Sequence, residues 1–358
     1  MLSNCFTDPK RRVGSDKNIS IEKRDELVEL AETKFSENFQ TYRWNANING
    51  AIVQLNTNSF HLNDFWVENW FASPRTSTIL PHGLIYAVVG IKDHEPYSYY
   101  NHDTKTAIFV NTDYYGQCKC WALGIAADIM ENQHDIHSIH GSCAVVDGNG
   151  VVIIAPTGTG KTTHTFGILE VPKAKIHSDD WIYVQNIDGL SMADVSERKF
   201  YVRTDIVRSF PQFKELFNKS KCENVENNDF TSFGNSRAIL NPEWVGGYDK
   251  FVDKAVIKSV ILLRRDRESP PEVRLDTDEA VSILDEGKYQ ILSGAEGELG
   301  SLAYEPFYNP YLLVFRRNVQ RKFFTELFNS TSCHILNTGV ETVEKTQNRI
   351  RQIIKEVK

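Results

Sequence analysis

Long apolar runs, a positive charge balance, paired cysteine spacing and internal repeats are all missing from this 358-residue chain. No stretch approaches the ~20 apolar residues that a bilayer crossing needs. The first residues, MLSNCFTDPKRRVG, lack the apolar centre of a signal peptide, so the expectation is a cytoplasmic protein with no membrane partner. A net charge of −7 and a pI near 5.8 leave none of the basic footprint that a phosphate backbone demands, which argues against a nucleic-acid partner. Cys5, Cys118, Cys120, Cys143, Cys222 and Cys333 are scattered instead of framing a small fold. Cys118 and Cys120 have no second Cys or His pair nearby to complete a zinc set, so they read as reduced, buried thiols. With 41% hydrophobic and 24% charged residues, the chain is ordinary for a globular protein and long enough for one large domain or two unequal ones.

What is present centres on residues 138–181. Val151 to Ala155 is a β-branched run suited to a buried parallel strand, and Pro156-Thr157-Gly158-Thr159-Gly160-Lys161-Thr162-Thr163 follows it into a helical pattern. Strand, glycine-rich turn and helix make a phosphate loop, with Ala155 where the usual pattern has its first glycine. In such a loop Gly158 and Gly160 let successive N–H groups curl around a polyphosphate. Lys161 reaches the outer phosphates and the Thr162 hydroxyl faces Mg²⁺. The expected cofactors are therefore ATP and Mg²⁺ or Mn²⁺, with residues 157–163 lining the nucleotide. Asp179 and Asp180 come eighteen and nineteen residues after Lys161, where a neighbouring strand should end. Two carboxylates there can divide two tasks, holding the metal and accepting a proton from an attacking hydroxyl.

Around this centre, residues 1–17 show no apolar period and are expected to form a mobile arm. Ser20 suits a helix cap, and Leu27, Leu30, Ala31 and Phe35 mark one face of a helix from Ile21 to about Phe39. AIVQL, LIYAVVGI and AIFVNT between residues 51 and 112 read as strands of a sheet-rich N-terminal domain spanning 18–112. The domain from 113 to 358 opens on a helix through Met130 and a strand containing His140. Lys119, near the start of that helix, has the default reading of a solvated charge. Further strands are expected at Ile182 to Val184, Lys199 to Val202, Val256 to Leu263 and Tyr311 to Phe315. Helices are expected at Asp205 to Phe217, Asp278 to Leu292 and Glu341 to Val357, with a loop over 218–236.

The order of these motifs resembles the ATP-dependent phosphoenolpyruvate carboxykinases and the smaller HPr kinase/phosphorylases, over about Tyr114 to Gly339. His140-Gly-Ser-Cys-Ala before the strand and loop resembles the carboxykinase H-C-S-A-N, and Asp179-Asp180-Trp181 resembles a shortened D-D-E-H-G-W. Glu197-Arg-Lys-Phe-Tyr-Val-Arg203-Thr204 is similar to E-G-G-C-Y-A-K-T and puts Arg203 at a phosphate-contacting lysine. Asn235-Ser-Arg237-Ala with Asn241-Pro242 is similar to N-T-R-V-x-Y-P, whose arginine faces the transferring phosphoryl group. Pro270-Pro271-Glu-Val-Arg274-Leu, Leu292-Ser-Gly and Glu305-Pro306 echo the nucleotide-side wall. The resemblance implies an α/β fold, with a carboxykinase-like nucleotide domain beside a smaller sheet-rich domain and the site in the cleft between them.

It also implies roles. Lys161, Arg203 and Arg237 would neutralise phosphates, Thr162 and Asp180 would hold the metal, and Asp179 would orient or deprotonate the acceptor. His140 and Lys119 would serve the acceptor or a second metal, the latter only if burial and the metal depress the lysine pKa. Two departures bear on the reaction. Ala72-Ser73-Pro74-Arg75 only faintly echoes the carboxylate-binding G-R-S-P, and one lysine remains where the family has two. The expected function is an ATP-dependent kinase acting on a hydroxyl of a small molecule or a protein serine. An authentic carboxykinase and a non-catalytic nucleotide-binding regulator are the alternatives.

Overall fold

The computed structural model describes residues 9–37, 40–73, 80–156, 158–231, 234–290, 300–304 and 316–356. Its first half is a seven-stranded sheet with helices on both faces. The strands are β1 (Gly14–Asp16), β2 (Tyr42–Ile48), β3 (Ala51–Thr57), β4 (Phe71–Ala72), β5 (Gly83–Val88), β6 (Tyr97–Asn101) and β7 (Thr106–Val110), in the order β1-β6-β7-β5-β3-β2-β4. Helix α1 (Ile21–Ser36) starts where Ser20 Oγ accepts the Lys23 N–H, a cap worth about 1 kcal/mol, and buries Leu27, Ala31 and Phe35 as its spacing predicts. The three expected strands are β3, β5 and β7. The expected arm is shorter than read, because Gly14–Asp16 pairs in parallel with Tyr97–Tyr99 and Gln117 binds both the N–H and the C=O of Val13. Residues 1–8 lie outside the described residues.

Two helices connect this sheet to the rest. Helix α2 (Phe60–Asn69), which was not among the expected elements, is capped by Ser59 and buries Leu62, Phe65, Trp66 and Asn69 on one face. Helix α3 (Tyr115–His134) is buried along almost its whole length. One apolar cluster runs from Val53, Leu55 and Ile85 through Trp121, Ile125 and Ile129 of α3 to Trp181, Tyr183 and Ile239. The boundary expected at 112/113 lies just before a helix whose side chains pack with strands of both halves.

The second half contains β8 (His137–Val146), β9 (Asn149–Ile154), α4 (Lys161–Ile168), β10 (Lys175–Ser178), β11 (Trp181–Ile187), β12 (Leu190–Val195), β13 (Phe200–Arg203), α5 (Phe213–Phe217), β14 (Lys221–Glu223), β15 (Arg237–Leu240), β16 (Lys254–Arg264), β17 (Glu272–Leu275), α6 (Thr277–Glu286), β18 (Lys288–Gln290), β19 (Leu302–Tyr304), α7 (Arg317–Ser330), β20 (Ser332–Asn337) and α8 (Val343–Glu356). Strand β9 lies between β8 and β16, and the β11–β12 hairpin joins the same two strands, so five strands close on one another. Strands β10, β17 and β20 extend the sheet, while β13, β15 and β14 form a separate three-stranded one.

Several boundaries differ from expectation. The helix expected over 205–217 is a 3₁₀ turn and then a short α5, divided around Pro211. The expected 218–236 loop contains β14. The helix expected to reach Leu292 stops at Glu286, because Gly287 takes a left-handed conformation (φ 55°) and caps it. The strand expected at Tyr311–Phe315, and the segments Leu292-Ser-Gly and Glu305-Pro306, lie outside the described residues. No helix among the described residues is long and apolar enough to cross a membrane, and the five described cysteines are free thiols.

Candidate functional site

The phosphate loop hangs from the C-terminal end of β9, whose Val151–Ile154 are buried between β8 and β16. Gly158 (φ 86°) and Gly160 (φ 103°) both adopt left-handed backbone, which a Cβ would strain, and Gly160 delivers the chain to the N-terminus of α4. An added side chain at Gly160 would also meet the His164 ring at 3.2 Å. The Thr159 hydroxyl turns back to Pro156 O (2.7 Å), and Thr338 Oγ1 donates to Thr159 O (3.0 Å). Thr159 therefore braces the loop with its side chain, and any contact with a ligand would come from its backbone. Thr163 is half-buried on the first turn of α4. Thr157, Pro74 and Arg75 lie outside the described residues.

Asp179 and Asp180 occupy the gap between β10 and β11, both of which run along the same edge of β8. Ser178 pairs with Cys143 and Trp181 with His140, so the two aspartates break the ladder opposite Gly141–Ser142 and turn to the loop. They take different partners. Thr162 Oγ1 points at Asp179 Oδ2 (3.4 Å), whereas Lys161 Nζ and His140 Nε2 lie 2.6 and 3.2 Å from Asp180 Oδ1, and Lys119 Nζ lies 3.1 Å from Asp180 Oδ2. The pairing reverses the expected one, in which Thr162 and Asp180 went together.

The electrostatics follow this split. Burial pushes Asp179 up to about 7, and its Oδ1 is buried without a hydrogen-bond partner. Burial would raise Asp180 as well, but Lys161, Lys119 and His140 outweigh it and hold the carboxyl well below the usual range. Burial, with Lys161 beside it, lowers His140 and favours the neutral imidazole. Lys119 corrects the solvated-charge reading, since its side chain is 1% exposed. Burial would lower it, yet Glu197 and Asp180 hold it above its ordinary value, which opposes the neutral, metal-binding form.

Arg203 and Arg237 face each other across the β13–β15 ladder. Arg203 grips Asp205 with two nitrogens (3.1 and 2.6 Å) while its buried Nη1 has no partner, and the charge of Asp180 acts on Arg237. Two arginines at one ladder position, one with an unpaired nitrogen, suit an anion. Glu223 and Asn69 carried no motif, and Tyr201 stood inside the Glu197–Thr204 motif without being given a role. Glu223 is fully buried and accepts from Tyr201 Oη, from the Tyr115 N–H (2.9 Å) and from His61 Nε2 (2.7 Å). A cavity of about 500 Å³ at the far end of the β8–β9 turn, lined by Val145, Lys175, Met192 and Lys254, contains none of these groups.

No known protein family matches the chain, and no curated protein does. Among solved structures, the HPr(Ser) kinase/phosphatase from Coxiella burnetii is similar, with 10% identity over 62% of this chain and 89% of that one and a TM-score of 0.32. So slight a similarity carries no weight for fold or chemistry, both of which rest on the geometry above.

Proposed function

We propose that the chain is an ATP-dependent phosphotransferase, a kinase that moves the γ-phosphoryl group to the hydroxyl of a small molecule or a protein serine. The observation that carries this reading is the convergence at one helix N-terminus of two left-handed glycines, Lys161, Thr162 and a buried Asp179 oxygen without a partner. A helix N-terminus with a curled glycine loop favours polyphosphate.

A divalent ion fits this residue set in a particular way. Among the described residues no three His, Cys, Asp or Glu side chains cluster as a complete cage. Mg²⁺ is commonly held by one or two carboxylates together with substrate phosphates, so Thr162 and Asp179 would hold it jointly with the nucleotide. Bound there, it would neutralise charge between the phosphates.

The chain's own groups do the remaining work. Lys161 leaves Asp180 for the outer phosphates, and Arg203 and Arg237 balance the charge that spreads over the transferring group. The acceptor oxygen forms a bond to the γ-phosphorus as the bond to the bridging oxygen of the leaving ADP breaks. The acceptor proton passes to the Asp180–His140 pair, 3.2 Å apart, once Lys161 no longer neutralises Asp180.

The test is incubation with γ-labelled ATP, Mg²⁺ and a metabolite and protein pool, with oxaloacetate in a separate tube. Label on a hydroxyl acceptor that is lost in Lys161→Ala supports the kinase. Oxaloacetate-dependent phosphoenolpyruvate formation replaces it with the carboxykinase. ATP binding without turnover in any tube replaces both with a regulator.

A further inference from the structure

We propose that Glu197 is a positioning residue for phosphoryl transfer. It anchors Lys119 from behind, so that this ammonium stays on Asp180 when Lys161 turns to the nucleotide. The inference rests on the phosphotransferase reading above and assigns work to a side chain outside the phosphate cradle.

Four charges alternate through the interior: Lys161, Asp180, Lys119 and Glu197. Lys119 Nζ lies 3.1 Å from Asp180 Oδ2 and 3.3 Å from Glu197 Oε1, with the Lys119 and Glu197 side chains each 1% exposed. Its N–H groups are thus directed at two carboxylates, and the face of Tyr201 lies 5.8 Å away. Glu197 is itself fixed. Asn69 Nδ2 donates to its Oε1 (2.9 Å) and to Lys199 O (2.6 Å), and Tyr115 Oη donates to Asn69 Oδ1 (2.6 Å). The N–H groups of Arg198 and Lys199 both reach Asn69 O, which clamps the β12–β13 link to the end of α2.

An arriving triphosphate draws Lys161 off Asp180. Lys119 is then the remaining lysine on that carboxylate, and it too is a mobile cation beside a large anion. Glu197 supplies the counter-charge that keeps it from following, and Asp180 keeps its place. A buried charge held from both sides stays in register in a way that a singly paired one does not.

Glu197→Gln tests this, because the amide oxygen still accepts from Asn69 while the charge is gone. Affinity for Mg·ATP, read by displacement of a fluorescent ATP analogue, is expected to change less than about threefold, while turnover of γ-labelled ATP falls about 10- to 100-fold. In a Lys119→Met background the same substitution is expected to add nothing, since the two residues act as one unit. An equal loss in that background, or no loss in the parent, overturns the proposal. The buried Lys119 ammonium gives a second readout that needs no turnover. Its ¹H–¹⁵N signal should exchange slowly in the parent and at least about tenfold faster in Glu197→Gln, and an unchanged rate also overturns the proposal. A parent protein that neither binds nor turns over ATP defeats the phosphotransferase reading and leaves the ammonium measurement standing. If Glu197→Gln does not fold, the Glu197→Gln/Lys119→Met double variant, which removes both buried charges, is expected to fold and to match Lys119→Met. A slower double variant overturns the proposal.

Discussion

Glu131 and Arg316 form a bidentate buried pair at 2.6 and 2.7 Å, with Gln320 Nε2 donating to the same carboxylate and the Ser138 N–H and hydroxyl at its edge. The cluster around Asp180 also gathers cations on a carboxylate, but nearer the surface, with the Asp180 side chain 24% exposed against 1% for Glu131, and Asp179 Oδ1 next to it and Arg203 Nη1 on β13 lack partners. The first arrangement is closed on itself and acts within the protein. The second leaves polar atoms that only an incoming group can satisfy, and a buried orphan of that kind costs about 1–3 kcal/mol until something does. Burial of charge alone therefore does not mark a site; what sets the second cluster apart is an unpaired carboxylate oxygen beside a glycine turn at a helix start.

The contrast breaks most sharply with one substitution on each side. Lys161→Ala is expected to lower phosphoryl transfer about 10³-fold, around 4 kcal/mol at the transition state, with thermal unfolding nearly unchanged. Arg316→Met should do the opposite. It strands Glu131 in the interior, so chemical denaturation should report a loss of about 3–5 kcal/mol while the folded fraction binds nucleotide normally. Equal stability losses in the two variants would erase the distinction.

A titration sharpens the comparison within α4, just after the loop. His164 is 2% exposed and burial lowers it to about 4, below its ordinary value. The unfolded chain then binds the extra proton between about 6.5 and 4, so stability falls as pH drops through that window, by about 3 kcal/mol at most. His164→Gln should flatten the melting temperature against pH there, and an unaltered slope would assign the acid sensitivity elsewhere.

The two aspartates give a smaller effect. Asp179→Asn is expected to raise the metal requirement and lose about 10²-fold in turnover, part of which returns at high Mg²⁺. Asp180→Asn should lose turnover without metal rescue and bind nucleotide more tightly, since Lys161 is freed. Metal titrations of turnover alongside nucleotide binding decide the matter, and rescue of the Asp180 variant alone would restore the assignment first read from the sequence. Smallest of all, Asp276→Ala removes the capping box with Glu279 on α6 and should cost about 1 kcal/mol in thermal unfolding, with no change in nucleotide binding.

The strand, glycine turn and helix start around Lys161 were legible because their requirements are local: a β-branched strand, glycines at positive φ and a lysine at a helix start all lie within a dozen residues. Arg203 and Arg237 were placed by the resemblance, and the ladder between β13 and β15 brings them together. Long-range geometry was not legible. Whether Asp179 or Asp180 faces Thr162 depends on how the chain bends between β10 and β11 against β8, which no neighbouring residue announces. Lys119 reads as a surface charge because its partners, Asp180 and Glu197, are sixty and more positions away. Helix α2 carries a local signal of its own, with Leu62, Phe65, Trp66 and Trp70 at helical spacing behind the Ser59 cap, that the sequence reading did not use.

Helix α3 has a mechanical consequence. Because its apolar side chains belong to one cluster with strands from both halves of the chain, rotating those halves apart would tear open a hydrophobic interior instead of turning about a linker. Jaw-like closure of two lobes is opposed by that same interior, into which Tyr201 and Ile239 of the small sheet that carries the arginines also pack. The same continuity means that calorimetry should record one melting event, and that severing the chain near residue 112 should yield fragments that fold only when they meet again.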